Sequence, residues 1–189
     1  MKRNFITAVL MTIVTTVLLG IIYPLAVTAL AQLFFHDKAN GQLIAGPNGP
    51  IGSRIIGQPF VSDKYFHSRP SAAGNGYDAG NSSGSNLGPT NQKLIDRVKT
   101  DTATAKADNP NQPVPADLVT TSASGLDPDI TPAAALFQVP RIARVRGLSE
   151  DRVRALVESH IQGRQLGFLG EPRVNVLELN LALDQENTK

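Results

Sequence analysis

The sequence predicts an α+β domain carried on a single membrane-spanning helix. Three observations lead there. Residues 4–35 contain no Asp, Glu, Lys or Arg. The 154 residues that follow (189 less 35) are enough for one domain with its own core. In that part, short apolar runs and helix-like patterns alternate in mixed order without an internal repeat. The expected division is a transmembrane helix over 1–36 and an extracytoplasmic α+β domain over 37–189.

A bilayer core needs about 20 apolar helical residues to cross it, so 32 uncharged residues span with tilt or extend beyond it. A cleaved secretory signal is the alternative, with Lys2 and Arg3 as its charged start and Ala29-Leu30-Ala31 as a small-x-small site. A signal's apolar region is only about 7–15 residues long, which favours a retained anchor. Lys2 and Arg3 before the span outweigh Lys38 after it, which places the N-terminus in the cytoplasm and the remainder outside. Ala8, Thr12, Thr16 and Gly20 recur every four residues. Small residues at that spacing let two helices approach closely in lipid, although they are common in any membrane helix. Pro24 predicts a local kink.

Asp37 to Pro50 reads as a polar connector. Ile51 to Ile56 and the neighbourhoods of Phe60 and Tyr65 read as short strands broken by Gly57 and Pro59. Arg69 to Thr90 is dominated by Gly, Ser, Asn and Ala, and is too long for an ordinary connection. Tyr77, Asp78 and Leu87 interrupt it, which favours an ordered loop over a floppy linker. Thr90 or Asn91 caps a helix running to about Lys106, and the prolines of 108–115 end it.

Leu118 to Leu126 reads as a strand and turn, Asp127-Pro128-Asp129 as a turn, and Thr131-Pro132 as a helix start. Pro140 should stop or bend that helix near Val139. Ser149 caps an amphipathic helix with Val153, Leu156, Val157, His160 and Ile161 on its apolar stripe, closed by Gly163. Val174 to Leu183 alternates Leu with polar residues and predicts a strand.

Composition excludes several functions. With Lys2 and Arg3 removed, 16 basic residues balance 16 acidic ones, so nucleic acid is not an expected partner. The absence of Cys removes disulfides, thiolate metal sites and Cys nucleophiles. No GxxxxGK[ST] or GxSxG motif occurs. Gly84 to Gly88 is either a backbone nest for an anion or, more simply, a tight loop. His36, His67 and His160 lack metal-ligand spacing, and nothing resembles a calcium loop. His67 with a neighbouring Ser leaves a membrane-anchored hydrolase as the alternative function. Asp127 and Asp129 are explained by turn formation. Arg141, Arg144 and Arg146 form either a solvated basic face or one that pairs with an acidic partner or lipid headgroups. No DKTGT motif of a phosphorylated pump subunit is present.

Six stretches taken together resemble the C subunit of the Kdp-type potassium-transporting P-type ATPase. They are Gly52 to Gln58, Tyr65 to Ser71, Ser82 to Thr90, Ser124 to Ile130, Gln138 to Ala143 and Gly170 to Leu177. The resemblance covers nearly the whole chain, and it is the ordered set that is specific. It implies a non-catalytic accessory subunit of an ATP-driven potassium importer in the bacterial inner membrane. It also implies three partners: a potassium-binding channel-like subunit, an ATP-hydrolysing subunit and a small membrane peptide. A chaperone-like role raising the ATP affinity of the ATP-hydrolysing subunit is implied as well, and ATP as a cofactor by that resemblance alone. That role conflicts with a domain outside the membrane, since ATP is cytoplasmic. An outer domain would instead shape the potassium entrance or stabilise the assembly. The expected docking residues are Ser82, Asn86, Asp127, Asp129 and Arg141, and the expected packing residues in the span are Ala8, Thr12, Thr16 and Gly20.

Overall fold

The computed structural model describes residues 1–186 and divides into two units, 1–43 and the chain from Ile44 onward. The first unit is a helix of 33 residues, Lys2–Phe34. At about 1.5 Å per residue it exceeds a hydrocarbon core of about 30 Å. It comprises α1 (Lys2–Thr15), a π turn (Thr16–Ile22) and α2 (Tyr23–Phe34). Pro24 has no N–H for the carbonyl of Gly20. The chain absorbs this by widening the turn before it: the Tyr23 N–H reaches the Leu18 carbonyl, five residues back. The helix therefore continues through the proline. A short α3 (His36–Ala39) follows, its last turn tied by the Gln32–Asn40 amide pair at 3.2 and 3.3 Å.

In the second unit, β1 (Leu43–Gly46) and β2 (Gly49–Ser53) form a two-stranded ribbon. The main core lies between α5 (Pro132–Arg146), α6 (Glu150–Ser159), α7 (Val176–Glu186) and an antiparallel sheet ordered β3 (Asp129–Ile130), β5 (Arg173–Asn175), β4 (Ile161–Gln162). Val174 pairs with Ile130 on one side and Ile161 on the other. Phe66, Val139, Ile142, Val157, Leu179 and Leu183 are fully buried there. Gly147, at φ +67, lets α5 turn sharply into α6, and the Leu148 N–H returns to the Ala143 carbonyl. α4 (Gln92–Asp108) starts at Asn91, whose Oδ1 accepts from Lys93 N at 2.9 Å.

Several expectations are corrected. α5 runs through Pro140, because one missing backbone bond is outweighed by the burial of Val139, Ile142 and Ala143 around it. α6 ends at Ser159, before Gly163. Residues 118–126 form no strand; a 3-10 turn (Ala116–Leu118) stands there.

The largest correction is at the C-terminus. Only Arg173–Asn175 is strand, and Val176–Glu186 is helix. Asn175 caps that helix, its Oδ1 accepting from Glu178 N at 3.1 Å. Val176, Leu179, Asn180 and Leu183 then form the buried stripe at helical spacing.

Candidate functional site

Residues 63–69 form a strap across α5 and α7; the chain turns at 63–65, where the Tyr65 N–H bonds the Ser62 carbonyl at 2.9 Å, so the expected strand near Tyr65 is absent. Side chains satisfy their backbone instead. The Lys64 carbonyl accepts from Arg146 Nε at 2.8 Å. The Tyr65 carbonyl accepts both terminal nitrogens of Arg141, at 3.1 and 3.0 Å, and the Asp63 carbonyl accepts one of them as well. Phe66 donates its N–H to Asn180 Oδ1 at 2.8 Å and accepts Asn180 Nδ2 at 3.0 Å. His67 repeats the pattern with Gln138, at 2.8 and 3.1 Å.

Helical geometry explains the pairing, since Gln138 and Arg141 lie three residues apart on one face of α5. Arg141 is 2 % exposed, and Asp108 Oδ2 lies 3.1 Å from its Nε. Arg146 pairs with Asp184 at 2.8 Å and lies over the Tyr65 ring. Within the expected basic cluster, Arg141 and Arg146 therefore turn inward, and Arg144 is the exposed member.

The Gly/Ser/Asn-rich segment packs on the turn at 120–127. Ser71 Oγ donates to the Gly125 carbonyl at 2.6 Å and accepts from Tyr77 N at 2.8 Å. Tyr77 OH donates to the Arg69 carbonyl. Ser83 Oγ reaches the Ala72 carbonyl at 2.8 Å, and Ser82 Oγ the Ser124 carbonyl at 3.0 Å. Gly125, at φ +66, is required by this packing, because a Cβ there would stand 2.6 Å from both Ala73 N and the Ser83 carbonyl. The segment is thus tied to that turn by hydrogen bonds, and Gly84 to Gly88 is irregular backbone without a turn, with Asn86 at φ +51.

Ser82, Asn86, Asp127 and Asp129 belong to this loop system, with Ser82 and Asn86 exposed. Asp127 pairs with Arg69 at 3.1 Å and accepts from Asp129 N at 3.1 Å, closing the expected turn. Asp129 pairs with Arg173 at 3.0 Å and accepts from Asn175 Nδ2 at 3.1 Å. Burial pushes the Asp129 carboxyl above the ordinary carboxylate range, and its hydrogen bond and Arg173 only partly oppose this. These carboxylates and arginines line a cleft of about 260 Å³. Arg141 stands apart from these residues, buried beneath residues 63–69.

His67 and Ser68 line a second cavity, of about 330 Å³. There His67 Nε2 donates to the Ser62 carbonyl at 3.2 Å, and among the described residues no serine hydroxyl bonds its ring, as a hydrolase's serine–histidine pair would. Burial, then the nearby Arg141 charge, holds the His67 pKa below the ordinary histidine value. His160 caps α6, its Nδ1 meeting the Leu156 carbonyl at 2.8 Å. Among the described residues, no three metal-ligating side chains stand together. In the long helix, Ala8, Thr12, Thr16 and Gly20 are all exposed, and Thr12 Oγ1 is satisfied by the Ala8 carbonyl at 2.9 Å.

Sequence reasoning missed Gln138, Asn175 and Asn180, the amides that organise the domain. Asn175 had a usable signal, the spacing Asn-x-x-Glu ahead of Leu179 and Leu183. Gln138 and Asn180 had none, because their backbone partners lie 71 and 114 residues away.

Comparison with known proteins gives one consistent result. Residues 5–185 match the family model KdpC, described as K+-transporting ATPase, c chain. The chain is 67 % identical over 184 residues to the potassium-transporting ATPase KdpC subunit of Koribacter versatilis, covering 97 % of this chain and 95 % of that protein. It is 57 % identical over 196 residues to the subunit of the same name from Rhodopseudomonas palustris strain BisB18, covering 97 % and 98 %. It is 59 % identical over 170 residues to that of Caulobacter vibrioides strain NA1000 / CB15N, covering 89 % and 86 %.

Proposed function

Because the chain belongs to the KdpC family, the c chain of K+-transporting ATPases, we propose that it is a non-catalytic subunit that supports assembly of the potassium importer and potassium access to it. Its partners in this reading are the potassium-binding channel-like subunit, the ATP-hydrolysing subunit and a small membrane peptide. Lys2–Phe34 crosses the bacterial inner membrane once, with the N-terminus in the cytoplasm and the domain over 37–189 in the periplasm. Ala8, Thr12, Thr16 and Gly20 pack on a partner helix. The loop of Ser82 and Asn86, with the neighbouring turn of Asp127 and Asp129, docks on the potassium-binding subunit.

The observation that carries this reading is the strap. The groups best suited to chemistry, His67 and the inward arginines, are engaged in holding the domain's own backbone. That supports a shape-bearing role over a chemical one. Any effect on ATP affinity reaches the nucleotide through the span or another subunit, since the domain lies across the membrane from it.

The test uses the absence of cysteine. An Asn86→Cys chain should react with a membrane-impermeant thiol reagent on intact cells. Asn86→Arg, which adds bulk and charge to the exposed loop, should lower recovery of the chain with the purified complex and slow growth at low potassium. Labelling only after lysis refutes the placement. A complex that purifies and transports normally without this chain refutes the role.

A further inference from the structure

Residues 164–171 form a hairpin whose tip is apolar and almost fully exposed. Gln165 and Leu169 exchange both backbone bonds at 2.9 Å, and Phe168 N closes the turn on the Gln165 carbonyl at 3.2 Å. Leu166 and Gly167 are both left-handed, at φ +53 and +82. Leucine rarely adopts that conformation, and no packing at the tip requires it. The result displays Leu166 at 82 %, Phe168 at 69 % and Leu169 at 47 % exposure. Residues 165–170 carry no charge, and the nearest charges, Arg164 and Glu171, pair with each other at 2.6 Å across the hairpin base.

We infer that this tip inserts into the interfacial layer of the bilayer in which the chain is anchored. The inference rests on the reading of Lys2–Phe34 as a membrane span. The tether supplies the occupant. Only eight residues, 35–42, separate that helix from β1, a reach of at most about 26 Å. A domain of this length has a radius of gyration of about 15 Å. The short tether therefore keeps the domain close to the bilayer that anchors it.

Size and charge favour lipid over a protein partner. Three side chains offer on the order of 350 Å² of apolar surface, somewhat below the roughly 450 Å² of apolar area in one side of a standard protein interface. Lipid needs no complementary surface, and an uncharged tip above a basic–acidic base matches the polarity step between acyl chains and headgroups.

The chain has no tryptophan, so Phe168→Trp introduces a single reporter at an exposed position. The full-length variant, reconstituted in vesicles of phosphatidylethanolamine, phosphatidylglycerol and brominated phosphatidylcholine, should show blue-shifted emission. Bromines at shallow acyl positions should quench it at least about twofold, and more than deep ones do. Val61→Trp, at a site 89 % exposed, should remain unquenched. Equal quenching of both reporters overturns the inference, as does emission that shifts only once the other subunits are added, which assigns the tip to a protein. A chain that floats with the vesicles yet shows a water-exposed reporter overturns this inference alone. A chain that does not float overturns the anchor reading as well.

Discussion

The side-chain amide of Asn180 bonds both backbone groups of Phe66, accepting from its N–H at 2.8 Å and donating to its carbonyl at 3.0 Å. One residue later, Gln138 does the same for His67 from a different helix. An amide presents a donor and an acceptor side by side, as a neighbouring strand would. Two helices thus supply the hydrogen bonds of a missing strand, and the strap can cross them without a sheet. Phe66, held this way, is fully buried in the core.

Asn180→Asp keeps the shape of the clamp but replaces its donor with an acceptor facing the Phe66 carbonyl. A buried, mispaired carboxylate and an orphaned carbonyl should together lower stability by about 2–4 kcal/mol. For a domain of this size that is a fall of roughly 10 °C in the thermal midpoint, read by circular dichroism of the full chain in detergent. An unchanged midpoint would mean the two bonds contribute nothing net. Asn180→Leu should also destabilise, because it leaves both Phe66 groups dry and unpaired.

Gly125→Ala tests whether the Gly/Ser/Asn loop is tied down from this turn. The new methyl would press on two backbone atoms, Ala73 N and the Ser83 carbonyl, which cannot swing aside as a side-chain end can. The left-handed backbone adds about 1–2 kcal/mol of strain. Protease cutting within residues 70–90 should rise at least tenfold while cutting in α5 changes little. Uniform protection across both regions would show that the loop is held from elsewhere.

His67 makes a pH prediction. Burial and the charge of Arg141 lower its folded pKa below an unfolded value of about 6.5. As pH falls through that value, the unfolded chain takes up the proton first, so stability is complete above it and declines towards the folded pKa. Urea unfolding of the wild-type chain should therefore weaken between about pH 7 and pH 5. His67→Gln, which can still donate to the Ser62 carbonyl, should weaken less over the same interval. Identical slopes would remove His67 from the linkage.

The helices were legible because their start signals are local. Asn91, Thr131 and Ser149 each accept from a backbone N–H within the first turn, as their residue types suggest. The strands were not, because β3, β4 and β5 hold two or three residues each, too few to show a period. α7 was misread because leucines at 177, 179, 181 and 183 imitate alternation. After Val176 the segment contains no β-branched residue to favour a strand. The inward turn of Arg141 was hidden for a different reason: its carbonyl acceptors lie 76 and 78 residues away. Ser82 and Asn86 are exposed in the loop that the composition singles out. The amides that shape the domain were not legible, since long-range satisfaction leaves no local trace.

Gly20→Leu separates a packing role in the long helix from simple membrane crossing. A Cβ at Gly20 meets nothing nearer than Thr16 Cγ2, at 3.8 Å, so the helix itself accommodates a larger residue. Leucine also raises both helix propensity and hydrophobicity, and membrane insertion should be at least as good as in the wild type. A partner helix seated on Ala8, Thr12, Thr16 and Gly20 would be pushed away by the added side chain, because close backbone approach is what small residues permit. The expected outcome is full membrane recovery of the chain with at least a fivefold loss of co-purifying subunits, and a milder loss for Gly20→Ala. If Gly20→Leu co-purifies at the wild-type level, the stripe carries no partner and assembly depends on the unit from Ile44 onward.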